Sequence, residues 1–330
     1  MKMLLMNIKQ YAAWPVLLLS LGLTVPSVET AAEDEAAKVL RVITYNVQFL
    51  PGMASAANKR KEPHYRAARI AEEMSGFDIV ALQETFHPRF RDMILDGLRE
   101  AWDGQLNVVI SPQPEGRFNG GCLIATRLPI VESDAMIFEN FSSPKDYGLR
   151  ADGYAAKGVI HARIALTGDA QGGTIDVFVT HLEARANDLR ELQYPEFGAF
   201  VKAKSAADRP ALIMGDLNTR GTPEYRSDSD SQYHMLMSAL SGGLGRELTD
   251  VWPALMGDAH GGTSEQESEE IGKRIDYVLL SNPDAAGLRL KPLSIRVNLY
   301  QDPKVVALSD HNAVVAEFEW GESSDLPERE

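Results

Sequence analysis

Leu212-Ile213-Met214-Gly215-Asp216-Leu217-Asn218 decides how the chain is read. An apolar run of buried-strand character ends in a glycine, a carboxylate and an amide. Asp216 and Asn218 are two apart, so in extended chain both side chains leave the same face. Gly215 lets the backbone approach a ligand or another strand closely. Asp216 can hold a water or a metal, and Asn218 can donate an amide N–H to a phosphate oxygen. An ordinary turn has the same composition, so the motif gains meaning from its company.

Outward from it, four more polar signatures follow apolar runs. Thr44-Tyr45-Asn46 follows Val42-Ile43, and Gln83-Glu84 follows Ile79-Val80-Ala81-Leu82. Thr180-His181-Leu182 follows Val177-Phe178-Val179, and Ser309-Asp310-His311 follows Val306-Ala307-Leu308. Strands that bring Asn, Glu, Asp and His to one sheet edge can build a metal-assisted phosphodiester-cleaving site. A carboxylate such as Glu84, just past a buried strand, is costly unless it meets solvent, a partner or a cation. Glu84 with Asn46 would offer oxygen ligands suited to Mg²⁺, Mn²⁺ or Ca²⁺.

His181 and His311 are raised above the other histidines by their neighbours. Asp276 lies in Arg274-Ile275-Asp276-Tyr277-Val278, another strand. Asp310 and His311 are adjacent and point oppositely in a strict strand, which favours Asp276 as the orienter of His311. A carboxylate on one imidazole nitrogen raises its basicity, and the other nitrogen can take a proton from water. His64, His87, His161, His234 and His260 read as structural or surface. Zinc is disfavoured, because there is no HExxH or C-x-x-C spacing. A serine hydrolase is disfavoured by the lack of a G-x-S-x-G elbow.

The 330 residues, 44 % hydrophobic, suit one large domain, read here as residues 33–320. Formal net charge is −14, and no basic run exceeds Lys59-Arg60-Lys61. Nucleic acid is therefore the less expected partner. The lone cysteine, Cys122, sits in a strand-like run and reads as a small buried apolar residue. Lys2, Lys9, an apolar stretch over 12–25 and Ala31-Ala32 read as an export signal covering 1–32, with an uncleaved anchor helix as the alternative. The expected destination is secreted or periplasmic, and the expected state is a monomer. The acidic tail 321–330 is expected to be disordered. Helices are expected over 65–74 and 187–206, with 216–241 and 255–271 irregular or short-helical. About ten short strands suggest two packed sheets flanked by helices.

The ordered set Tyr45-Asn46, Gln83-Glu84, His181-Leu182, Gly215-Asp216-Leu217-Asn218, Asp276-Tyr277 and Ser309-Asp310-His311 resembles the endonuclease/exonuclease/phosphatase superfamily over residues 40–318. The resemblance implies an α/β fold, a four-layer αββα sandwich of two mixed sheets flanked by helices, like that of pancreatic DNase. It implies Glu84 as main metal ligand, with Asn46 beside it and Asp310 a further carboxylate near the metal. Asp216 would position the attacking water, while Asn218 and His181 would hold the phosphate. His311 would be the general base, oriented by Asp276.

Gly120-Gly121-Cys122-Leu123-Ile124-Ala125-Thr126-Arg127-Leu128-Pro129-Ile130, Ala156-Lys157-Gly158-Val159, and Trp252-Pro253 before Gly262-Thr263 resemble the neutral sphingomyelinase branch. Lys157 would then add a point charge near the phosphate, a solvated strand-end lysine being the plain alternative. The implied activity is a secreted sphingomyelinase or phospholipase C-type enzyme that releases phosphocholine from phospholipid at a membrane surface. The rivals are an exported nuclease, with Arg117, Arg150 and Arg185 to check for a basic cleft, and a non-catalytic membrane-interaction module. Haemolytic members of the branch carry paired cysteines and an aromatic hairpin. Here residues 290–308 offer only Leu299 and Tyr300 as a tip.

Overall fold

In the computed structural model, residues 38–52, 54, 60–167, 173–264 and 272–324 are described. The export-signal segment, and residues 325–330 of the acidic tail, lie outside the described residues. The chain begins with β1 (Val39–Asn46), α1 (Pro63–Met74), β2 (Ile79–Gln83), α2 (Pro88–Ala101), β3 (Asn107–Ile110), β4 (Leu123–Thr126) and β5 (Ile130–Ile137). It continues with α3 (Pro144–Tyr147), β6 (Gly158–Ala165), β7 (Thr174–His181), α4 (Asn187–Lys204), β8 (Ala211–Asp216), α5 (Pro223–Ser227) and α6 (Gln232–Leu244). Then come β9 (Thr249–Asp250), α7 (Val251–Met256), β10 (Asp276–Ser281), β11 (Leu288–Asn298), β12 (Gln301–Asp302), β13 (Val306–Ala307) and β14 (Ala313–Glu322).

Two six-stranded sheets form, ordered β11-β14-β1-β2-β4-β3 and β5-β6-β7-β8-β10-β9. Each is mixed: β1–β2 and β7–β8 are parallel, their other pairings antiparallel. Period-2 alternation explains the layers. In β1, Leu40 and Val42 face the inter-sheet core, which also holds Cys122, Leu212 and Met214. Ile43 and Tyr45 face the other way, into a layer with Ile70 of α1 and Leu98 of α2. In β8, Ala211 and Ile213 pack outward with Phe197 of α4 and Leu240 of α6. The helix–sheet–sheet–helix order is the expected four-layer sandwich.

Several expected boundaries are corrected. The run Val306-Ala307-Leu308 is no strand of a main sheet: β13 is a two-residue partner of β12. Ser309-Asp310-His311 therefore precedes β14 instead of ending a strand. It reaches the same edge because β14 runs antiparallel to β1, with Thr44 opposite Val314. β14 continues to Glu322, two residues into the segment expected to be disordered. The region 216–241, expected to be irregular or short-helical, holds the short α5 and the start of the longer α6. Its Gly243 looks like a helix breaker but packs closely: a Cβ there would lie 2.2 Å from the Gly198 carbonyl of α4. Tyr300 does not form an exposed tip, since its ring centroid lies 5.6 Å from that of Tyr45.

Candidate active site

Strand ends assemble the site. The parallel β7–β8 pair sets His181 beside Asp216, and the antiparallel β8–β10 pair sets Asp276 on the other side of Asp216. In the first sheet, β1–β2 sets Asn46 beside Gln83, with Glu84 next along the chain. Gly215 (φ 140°) lets β7 come close, because a Cβ there would meet the Thr180 carbonyl at 2.1 Å. Three non-glycine residues at this edge are left-handed: Gln48, Glu84 and Asn218, with φ of 49°, 57° and 48°. Backbone strain of this kind persists where surrounding contacts over-determine it, often at functional sites.

One side chain ties the two sheets together. Asn46 Nδ2 donates to Glu84 Oε1 and to Asp216 Oδ2, both at 3.1 Å. Its Oδ1 accepts from the Gln48 amide at 3.1 Å. Gln48 Nε2 donates to Asp310 Oδ2, and Ser309 Oγ donates to the Asn46 carbonyl at 2.6 Å. Gln48 escaped the sequence reading, because nothing about a glutamine two residues past a motif marks it. Burial pushes the Glu84 carboxyl up to about 7, and the nearby Asp310 adds to the rise. A crowded carboxylate of that kind is one whose ionisation a cation would favour.

His311 and Asp276 form the expected dyad, Nδ1 to Oδ2 at 2.9 Å. His311 Nε2 lies 3.8 Å from Asp216 Oδ2. Burial alone would lower the affinity of this imidazole for its proton, but Asp276 and then Asp216 outweigh it and the pKa rises. Thr263 Oγ1 accepts from the Ile275 and Asp276 amides, both at 3.1 Å, which fixes where β10 begins. Asp276 Oδ1 is buried without a hydrogen-bond partner.

Lys157 is buried, so it is not a solvated lysine. Its ammonium donates to Asp152 Oδ2 at 2.7 Å, to the Leu182 carbonyl at 2.8 Å and to His181 Nε2 at 3.2 Å. Those contacts use its three N–H groups, so a phosphate would have to displace one. Burial and then Lys157 push the His181 imidazole down to about 3. Burial would raise the Asp152 carboxyl, yet Lys157 holds it well below the usual range. Asp152, which also accepts from the Ala184 amide at 2.7 Å, was missed as a loop aspartate five residues ahead of its partner. Asn218 Nδ2 donates to the Leu182 carbonyl at 3.1 Å.

The residues present suit a hard divalent cation. Glu84, Asp310 and Asn46 form a mostly carboxylate set, and the unpartnered Asp276 Oδ1 is a spare acceptor. Asp216, Asp276 and His311 also bring one ligand atom each within 4.8 Å of one another. In that group the 2.9 Å bond already commits His311 Nδ1 to Asp276, so it reads as a proton-handling unit.

The chain matches the Endonuclease/Exonuclease/phosphatase family over residues 43–311, and it belongs to that family. It is 26 % identical to Sphingomyelinase C 2 of Leptospira interrogans (serogroup Icterohaemorrhagiae, serovar Lai, strain 56601) over 199 residues, 54 % of this chain and 30 % of that protein. It is 26 % identical to Sphingomyelinase C of Listeria ivanovii over 224 residues, 60 % of this chain and 62 % of that one. The aligned stretches thus span less than two thirds of those relatives. Sphingomyelinase C from Streptomyces griseocarneus shares the fold at a TM-score of 0.58 and 19 % identity, over 84 % of this chain and 99 % of the other. D. rerio TDP2 complexed with single-strand DNA product shares it at 0.59 and 18 %, over 85 % and 98 %.

Proposed function

We propose that this chain is a metal-dependent phosphodiester hydrolase of the sphingomyelinase type, exported and monomeric, with its catalytic domain over residues 33–320. The observation that carries the reading is the His311–Asp276 dyad, aimed at Asp216 and facing the Asn46–Glu84–Asp310 cluster across one strand edge. A divalent cation held by Glu84, Asp310 and Asn46, with Mg²⁺ the first choice, would supply positive charge to the phosphate oxygens. In its neutral form, which a bound cation's charge would favour against the pull of Asp276 and Asp216, His311 Nε2 takes a proton from a water that Asp216 orients. Asp276 keeps the imidazole in the tautomer that leaves Nε2 free for this. The water attacks phosphorus and the ceramide alkoxide leaves, giving phosphocholine. His181 and Asn218 stabilise the added negative charge, and Lys157 holds the His181 ring in place.

Export rests on the charged and apolar character of residues 2–32. The nuclease alternative draws on the DNA-bound TDP2 neighbour, but its expected basic cleft loses a member. Arg117 is spent on the Gly153 and Ala155 carbonyls and stacks 4.2 Å from the Phe141 ring centroid. The test offers purified protein and Mg²⁺ to sphingomyelin, phosphatidylcholine and DNA. Phosphocholine release from sphingomyelin supports the reading, and turnover of DNA alone overturns it.

A further inference from the structure

The segment between β5 and β6 carries the most exposed apolar side chain among the described residues. Leu149 is 94 % exposed, in a 3-10 turn that follows α3. Tyr147 and Tyr154 on the same segment are 40 % and 43 % exposed, and Phe118 is 41 % exposed. Phe118 sits against this segment through its amide, which donates to the Tyr154 carbonyl at 2.9 Å. Leaving such groups in water is unfavourable, so an exposed apolar cluster marks a surface that something covers.

The base of the segment is firmly held. Ser142 Oγ donates to Glu183 Oε2 at 2.9 Å and accepts from the Asp152 amide at 2.8 Å. Asp152 then reaches Lys157, which touches His181. The tip is thus a projection on a rigid base, anchored next to the catalytic edge.

We propose that residues 144–154, with Phe118, dock the enzyme onto a phospholipid bilayer, Leu149 entering the acyl boundary and the tyrosines resting at headgroup level. The proposal rests on the lipid-hydrolase reading. Three features select a bilayer over a protein partner. The segment offers a single exposed aliphatic residue, Leu149, in company with exposed aromatics, the composition of interfacial anchors. Its local charge departs from that of the chain: in residues 144–154 Lys145 and Arg150 balance Asp146 and Asp152, a sum of zero in a protein of −14. Both of these carboxylates are engaged, Asp146 by the Ser143 hydroxyl and Asp152 by Lys157, while Lys145 is exposed to meet lipid phosphates.

The experiment compares full-length wild type, Leu149→Asp and Leu192→Asp, the last altering a 49 %-exposed leucine on α4. Each is sedimented with vesicles of sphingomyelin and phosphatidylcholine. Each is also assayed on those vesicles and on a water-soluble phosphocholine ester. Leu149→Asp is expected to weaken vesicle partition and vesicle hydrolysis about tenfold or more, since an apolar anchor becomes a charge at the interface. It is expected to leave soluble-ester turnover unchanged, and Leu192→Asp to behave as wild type in every assay. Unchanged vesicle binding by Leu149→Asp, or equal losses in both variants, overturns the docking proposal alone. A wild-type dimer that Leu149→Asp dissolves also overturns it, by making the patch a contact between two copies. Failure of the wild type on every phosphocholine substrate overturns the lipid reading itself.

Discussion

The two halves of the site rest on two buried arginines that are satisfied in different ways. Beneath Glu84 and Asp310 lies Arg66 of α1, fully buried. It donates to the Leu308 carbonyl at 2.7 Å and to those of Val47 and Gln48, and it stacks 4.6 Å from the Phe49 ring centroid. Beneath Asp216 and Asn218 lies Arg274, also buried. It pairs with Asp250, donates to the Gly221 carbonyl at 2.9 Å and sits 4.4 Å from the Tyr277 ring centroid. Burial depresses the Arg66 guanidinium to about 10, whereas Asp250 outweighs burial and raises that of Arg274. The first arginine brings an unpaired positive charge toward carboxylates that crowd together. The second is self-neutral and mainly fixes loop geometry.

The contrast can be broken by truncation. Asp250→Ala leaves Arg274 buried and uncompensated, so it is expected to cost about 3–5 kcal/mol in urea unfolding. Arg66→Met removes hydrogen bonds to carbonyls and the stack on Phe49 but leaves no charge unpaired, and is expected to cost about 1–3 kcal/mol. Arg66→Lys should not rescue it, because one ammonium cannot reach the carbonyls that the guanidinium fork spans. Equal losses for Asp250→Ala and Arg66→Met would erase the distinction.

A pH series sharpens it. An unfolded carboxylate releases its proton near 4.5, while folded Glu84 keeps its proton up to about 7. The folded state of the cation-free protein should therefore lose stability as pH rises through that window. His181 has the opposite sign. Unfolded imidazole binds a proton near 6.5 but the folded ring only near 3, so stability should fall as pH drops through that range. Urea midpoints of Glu84→Gln and His181→Gln from pH 3 to 8 should flatten one limb each. Smallest of all is the exposed Lys304–Glu62 pair at 3.3 Å, where Lys304→Ala should cost no more than about 1 kcal/mol.

The sandwich was readable because buried strands are compact Val- and Ile-rich runs and the candidate site residues stand at or just past strand ends. The Asp276–His311 pairing was read from strand alternation at Asp310-His311, and it is present although that segment lies between strands. Other features left little local signal. Helix α2 is amphipathic through Ile94, Leu95 and Leu98, but many charges surround them. Helix α6 hides behind Gly242 and Gly243, the second of which permits close approach to α4. Arg66, Arg274, Gln48 and Asp152 act through partners far along the chain or through backbone carbonyls, which no motif spacing records. Arg127 shows the converse, a motif residue whose guanidinium pairs with Asp78, the residue before β2 and at the opposite end of that strand from Glu84.

The central claim is that His311 and Asp276 act as one proton-handling unit. It is tested most directly by a double-mutant cycle on sphingomyelin hydrolysis at saturating Mg²⁺. His311→Ala and Asp276→Ala should each lower kcat by about 10²–10⁴, and the double variant should lose little more than His311→Ala alone. Wild-type turnover by His311→Ala, or losses that multiply in the double variant, would contradict it.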